Sequence, residues 1–162
     1  MSAQGIGAPR PKNGPRFLLV QLKKGQSIDA VLLSRKYTGF ATHWDLGAGQ
    51  KGRSQRCTKD DGECDGCDRK LPSRWKGAIH AYCFYRKEEV FIELQPTTAE
   101  ALDLGVPAGE DLRGRRVRLK RGEKGDKTRV FVEWLIWQGN VDELPDERDP
   151  LPVMQTLWQW GR

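Results

Sequence analysis

The chain has 162 residues, 28 Lys+Arg against 22 Asp+Glu, a formal net charge of +6 and a mean hydropathy of -0.70. That length suits one domain with short tails. At 37% hydrophobic and 31% charged residues, with no apolar run near the ~18 residues a membrane-spanning helix needs, transmembrane, collagen-like and coiled-coil classes are excluded.

Met1 to Pro15 carries Gly, Pro and polar residues without periodicity and reads as a flexible basic arm. It has no apolar segment of the kind a secretory signal needs, which points to the cytoplasm. Phe17 to Leu22 is a short apolar run ending at the turn Lys23-Lys24-Gly25. Ile28 to Lys36 and Tyr37 to Trp44 are rich in branched and aromatic residues and predict two strands, or one long bent strand. From Asp45 to Arg74 the pattern gives way to Gly, Asp, Lys and Cys. No core can be built from that stretch, so something other than burial must order it.

Alternation returns at Trp75. Through Arg86 it puts Ile79, Ala81, Cys83 and Tyr85 on one face, with His80, Tyr82, Phe84 and Arg86 on the other, exposed one. Val90 to Leu94 is the partner strand across Lys87-Glu88-Glu89. Thr97 to Leu104 predicts a short helix, with Thr97 as N-cap, Glu100 at the capping-box position and Gly105 as the stop. Arg115 to Arg121 is a strand with Val117 and Leu119 inward. Gly122 to Lys127 is a hairpin loop, and Thr128 to Trp137 the last strand, with Val130, Val132, Trp134 and Ile136 inward. Strands interrupted by one helix before a final hairpin predict a mainly all-β fold. It is an OB-fold-like Greek-key barrel with one short helix and an inserted zinc loop, a β-sandwich being the alternative. The layout is an arm at 1–15, a barrel at 16–140 with the zinc loop at 43–70, and a tail at 141–162. In the tail, Asp142 to Asp149 carries a net charge of -4 and Leu157-Trp158-Gln159-Trp160 is aromatic. Such a tail can bind a partner, lie across the protein's own basic groove, or pack on the barrel.

His43, Cys57, Cys64 and Cys67 carry the sharpest chemical signal. Cys64-Asp65-Gly66-Cys67 is a knuckle whose glycine permits the tight turn that aims both sulfurs at one ion, and Cys57 supplies a third thiolate. With His43 they make a Cys₃His set suited to one structural Zn²⁺. Binding of the ion, rather than burial, would fold this loop. His80 and Cys83 are the alternatives for the fourth ligand, although Cys83 reads more simply as a small buried hydrophobe. A catalytic zinc has to be weighed as well, because His43-Trp44-Asp45 and Cys64 to Cys67 echo the H-x-E…P-C-x-x-C signature of nucleobase deaminases. Here Asp stands for the essential Glu, Glu63 replaces the proline, and Cys57 fills the open position. A four-ligand site does not activate water, so a non-enzymatic role is expected.

The ligand order, His43 then Cys57, Cys64 and Cys67, resembles that of the zinc-containing single-stranded DNA-binding (helix-destabilising) proteins of tailed phages. The resemblance implies an OB fold with a His-Cys₃ zinc insertion, a basic N-terminal segment and an acidic C-terminal tail. It also implies a place in DNA replication or recombination, in a bacterial or phage-infected host cytoplasm. Replication or recombination proteins would be partners of the acidic tail.

Composition agrees with that function class. Non-specific single-strand binders need cations to follow phosphates and flat rings for bases to stack on. The two types are interleaved at Arg35, Lys36, Tyr37 and Phe40; at Trp44; at Arg74, Trp75 and Lys76; and at His80, Tyr82, Phe84 and Arg86. Arg116, Arg118 and Lys120 share the strand face opposite Val117 and Leu119, in a stretch, Arg113 to Arg129, with nine basic and two acidic residues. The expectation is a single-stranded DNA-binding protein with little sequence preference. The alternatives are a zinc-containing RNA- or protein-binding accessory factor and, behind it, a zinc-dependent deaminase.

Overall fold

A computed structural model describes residues 18–46, 52–123 and 129–158. The basic arm, the tip of the last hairpin and Trp160 lie outside the described residues. The chain is mainly β, with one eight-stranded sheet and three short helices. Its strands are β1 (Leu18–Val20), β2 (Ser27–Leu32), β3 (Thr38–Asp45), β4 (Arg53–Arg56), β5 (Ser73–Cys83), β6 (Glu88–Leu94), β7 (Arg116–Arg121) and β8 (Val130–Leu135). The helices are α1 (Asp65–Asp68), α2 (Pro96–Leu104) and α3 (Leu151–Trp158). Among the described residues no helix is long and apolar enough to cross a membrane.

The strands run β1-β6-β5-β2-β7-β8, with β3 also on β5 and β4 on β3. All pairs are antiparallel except β1 with β6. β2 and β3 act as one bent strand along β5: Leu32 lies opposite Ala81 and Thr38 opposite Ala78. The chain advances six residues while its partner advances three, so 33–37 bulge out. Leu33 and Ser34 both donate their amides to His80 O at this corner.

The inner face holds one core. Ile28, Ala30 and Leu32 of β2 meet Ile79, Ala81 and Cys83 of β5, Val90, Ile92 and Leu94 of β6, Leu102 of α2, and Val117 and Leu119 of β7. Both ends of the sheet also pack on it, Val20 from β1 and Val130 and Val132 from β8. The sheet is therefore rolled. Arg121 Nη1 donates to Leu22 O at 2.8 Å and links the two ends.

The outer face of β5 and β6 is covered too, by the C-terminal segment. Met154 of α3 is buried against Ala78, with Leu19, Phe40 and Leu151 around it. Arg113 Nη2 donates to Leu144 O, and Arg35 pairs with Glu147 at 2.6 Å. The acidic tail thus packs on its own sheet.

That cover corrects the predicted exposure of His80, which is 0% exposed. Alternation along β5 marks two buried faces here, not one buried and one wet. Tyr85 is 93% exposed, not inward, because β5 ends at Cys83 and the hairpin turn has begun. Ile136 lies past the end of β8 and is 84% exposed, and Trp134 is at the surface with its ring against Gly105. Helix α2 starts one residue before the predicted cap. Gln95 takes the N-cap position and Pro96 the first turn, where its missing N–H is tolerated. Gly105 ends the helix as expected.

Candidate metal centre and basic cleft

The loop between β3 and β5 is ordered around four side chains. The ligand atoms of His43, Cys57, Cys64 and Cys67 all lie within 4.8 Å of one another. Cys57 Sγ is 3.6 Å from Cys67 Sγ, which is 3.5 Å from His43 Nε2. Ligands of a tetrahedral zinc stand about 3.7 Å apart for metal–ligand bonds of ~2.0–2.3 Å, so the set fits that ion.

Each ligand is placed by a local device. His43, near the end of β3, points its Nδ1 at Leu71 O at 3.2 Å. That contact puts the ring proton on Nδ1 and leaves Nε2 as the donor to a metal. Cys57 is tied to β3 through its amide, which donates to Ala41 O. Cys64 caps α1, its sulfur accepting the amide of Cys67. Gly66 lies under the imidazole: a Cβ there would sit 2.4 Å from His43 Cδ2. Arg69 braces the far side, gripping the buried Asp45 through Nη1 at 2.9 Å and Nη2 at 3.2 Å, and Asp65 at 2.9 Å.

The thiols are in electrostatic conflict with one another. The backbone N–H of Thr58, aided by that of Cys67, outweighs burial and holds Cys64 down at about 6. Cys67 is pushed up to about 11 by its hydrogen bonds with Cys57 and Cys64. Three sulfurs this close cannot all ionise alone, and a divalent cation in place of the protons removes the conflict. Of the alternative ligands, Cys83 is in the hydrophobic core and His80 bonds Glu89 Oε1 through Nε2 at 3.0 Å. Neither joins the cluster.

A basic cleft begins where β5 leaves the metal loop. His43 lies opposite Ser73, and Thr42 Oγ1 donates to Arg74 O at 2.8 Å. A cleft of about 870 Å³ starts there, bounded by Arg74, Trp75 and Lys76 of β5, Glu93 of β6, the start of α2, and Arg129 before β8. Trp75 is half-buried, its ring lying over the facing glycines Gly39 and Gly77 and edge-on to Tyr37 at 5.8 Å.

No protein-family model, curated protein or solved structure matches this chain.

The structure gathers some of the predicted nucleic-acid residues and separates others. Arg74, Trp75 and Lys76 line the cleft. Tyr82 and Phe84 form an edge-to-face pair on the outer side of β5, with Arg116 stacked over Phe84 at 4.7 Å. Arg116 there is bidentate to Asp29 at 2.8 and 2.7 Å, and Arg118 reaches Glu133 at 3.1 Å. Lys120 and Arg86 are exposed, and Trp44 is half-buried beside Gly52. Arg35 is paired with Glu147, and Phe40 packs beneath α3 with Arg56 over its ring. Tyr37 donates to Asp103 at 2.6 Å, a bond that pushes its hydroxyl up to about 12, and Lys36 lies beside it at the mouth of a second cavity. His80 is sealed under the C-terminal segment.

Arg129, counted in the sequence only as the end of a basic stretch, and the start of α2 also line the cleft. The signal for Arg129 was its place at the foot of the last strand, directly after a basic hairpin.

Proposed function

We propose that this protein binds single-stranded DNA with little sequence preference, in the cleft beside the metal loop, with zinc as a structural ion. The observation that carries this reading is that Arg74, Trp75, Lys76 and Arg129 line one open cleft. Cations there follow phosphates, and an aromatic ring accepts any base, a contact worth about 1–3 kcal/mol. Lys76 is on β5 and Arg129 immediately precedes β8, so a strand crossing the cleft meets charge from two parts of the fold.

The topology supports the same reading. Counting β2 with β3 as one strand, the order β6-β5-β2-β7-β8, with α2 between β6 and β7, has the connectivity of an OB barrel. OB folds bind oligonucleotides on their second and third strands, between the loops after the first and fourth strands. In this chain those are β5, β6, the metal loop and the β7–β8 hairpin, and the cleft lies among them. The proposed role is to hold strands open or protect them during replication or recombination in the cytoplasm, with partner proteins recruited through the acidic segment.

Zinc would be held by His43, Cys57, Cys64 and Cys67, and would supply folding of the loop rather than bond cleavage. Asp45, which would have to move protons in a deaminase, is gripped by Arg69 instead. The deciding experiment titrates the zinc-loaded chain with labelled oligo-dT, with a matched duplex and with matched RNA, across a salt series. Affinity for oligo-dT should exceed that for the duplex and fall with a slope of about -0.7 per phosphate neutralised. Equal or tighter duplex binding rejects the proposal, and preference for RNA moves it to an RNA-binding accessory factor.

A further inference from the structure

The first turn of α2 is furnished for an anion that the chain does not supply. Gln95 at the N-cap makes no side-chain capping bond, and the first turn has no acidic residue. Pro96 has no N–H, so the amides of Thr97 and Thr98 form the positive end of this nine-residue helix. Thr98 is 1% exposed and, among the described residues, its Oγ1 meets no hydrogen-bond partner. An orphaned buried hydroxyl is unfavourable unless something fills the space beside it.

That space exists. Thr98, Gln95, Gln21 and Arg121 line a cavity of about 150 Å³ between the two ends of the rolled sheet. It adjoins the basic cleft, because Glu93 and Gln95 line both. Glu93 is the one carboxylate among the lining residues and is held by Gln21 Nε2 at 3.0 Å. Arg121 faces it on the cavity side, and Arg74, Lys76 and Arg129 on the cleft side. Positive charge dominates the junction.

We propose that the first turn of α2 and the Thr98 hydroxyl form a phosphate site at the end of the cleft, which takes one backbone phosphate of the bound strand. The identity of the ligand rests on the nucleic-acid reading above; the anion site itself does not. The amides of Thr97 and Thr98 donate to the phosphate oxygens, Thr98 Oγ1 adds a third donor, and Arg121 supplies charge. Such a contact fixes where the backbone enters and carries no sequence information.

The test uses the full, zinc-loaded chain. Inorganic phosphate is titrated while the amide resonances of Thr97 and Thr98 are followed, and oligo-dT binding is measured against salt in parallel. Thr98→Val swaps the hydroxyl for a methyl of the same shape and removes no protein hydrogen bond; Thr98→Ser keeps the donor. Phosphate should shift both amides saturably, roughly tenfold more weakly in Thr98→Val and normally in Thr98→Ser. Oligo-dT affinity should fall several-fold in Thr98→Val alone. Oligo-dT binding equal in Thr98→Val and wild type, with unmoved amides, overturns the phosphate site, water then being what fills the cavity, and spares the proposed function. Saturable phosphate binding without any oligo-dT binding keeps the anion site and overturns the nucleic-acid reading.

Discussion

The backbone N–H of Arg148 donates to Nδ1 of His80 at 3.0 Å, while the other ring nitrogen of His80 meets Glu89 Oε1 at 3.0 Å. The first bond needs Nδ1 bare, so the imidazole is neutral with its proton on Nε2. This one ring joins β5, β6 and the C-terminal segment. A second proton would set N–H against N–H at Arg148.

Stability should therefore depend on pH through His80. Burial holds its pKa below the usual 6.5, and Arg148 and Arg113 push the same way against the opposing pull of Glu89. With the folded value lowered, the contribution is complete above about 6.5 and is lost as pH falls from there through the folded pKa. Within that window each pH unit removes up to about 1.4 kcal/mol. Urea midpoints of the wild type should drop between pH 7 and 5, with the amide of Arg148 losing exchange protection first. His80→Gln should flatten the profile; an equally steep fall in that variant refutes the assignment.

The metal centre makes a second prediction, through Gly66. Purified protein should contain one zinc per chain. In Gly66→Ala the new Cβ would fall 2.4 Å from His43 Cδ2 and 2.5 Å from Cγ. The ring must then move, and with it Nε2. Displacing a ligand's support in this way lowers metal affinity by roughly 10–100-fold. Competition with a chromophoric chelator measures it, and an unchanged affinity would mean that His43 is not a ligand. The core residues Ile79, Ile92 and Val117 are far from the change in sequence and packing, so the sheet should keep its circular dichroism.

The clustering of His43, Cys57, Cys64 and Cys67 was legible in the sequence because metal chemistry constrains residue types and spacing directly. The strands were legible because Val117 with Leu119 and Ile79 with Ala81 alternate. Faces were harder. The alternation along β5 is the same whether the second face is wet or covered, and only Met154 and Arg148, some 70 residues further on, decide it for His80. The cation at Arg116 could be read from sequence, but its neutralisation by Asp29 depends on β2 lying beside β7, a pairing no local pattern reports. The first turn of α2 was misjudged because Thr97 satisfies a capping rule, whereas Pro96, favoured at the first helical position, moves the N-cap back to Gln95.

Gly39 offers a third prediction, about how Trp75 is held. A Cβ on Gly39 would lie 2.0 Å from Trp75 Cζ2, and one on Gly77 would lie 2.4 Å from Cη2. These two glycines face each other across β3 and β5 and form the bed on which the indole lies. Gly39→Ala should cost about 1–3 kcal/mol by overpacking. It should also weaken oligo-dT binding by moving the ring out of register with the cleft. Urea denaturation gives the first effect and fluorescence-polarisation binding the second. Lost stability with unaltered affinity would place Trp75 in the scaffold only.

The cleft and the arginine face of β7 can be told apart by two variants. Arg116 is committed to Asp29 by two short bonds, which also hold the Asp29 carboxyl below its usual 3.8. That pair stabilises the fold above pH 3.8, and its contribution is lost as pH falls through the lowered value. A phosphate competing for Arg116 must first break the pair. Among the described residues Arg129 forms no salt bridge that a phosphate would have to break at the cleft mouth, where it stacks over Phe131 at 5.7 Å. Arg116→Gln should thus lower stability slightly and leave oligo-dT affinity within about twofold. Arg129→Ala should do the reverse, sparing stability and flattening the salt slope by about 0.7. If Arg116→Gln weakens binding and Arg129→Ala does not, the strand runs over the outer face of β5, β2 and β7, past Tyr82 and Phe84, and the cleft is not its track.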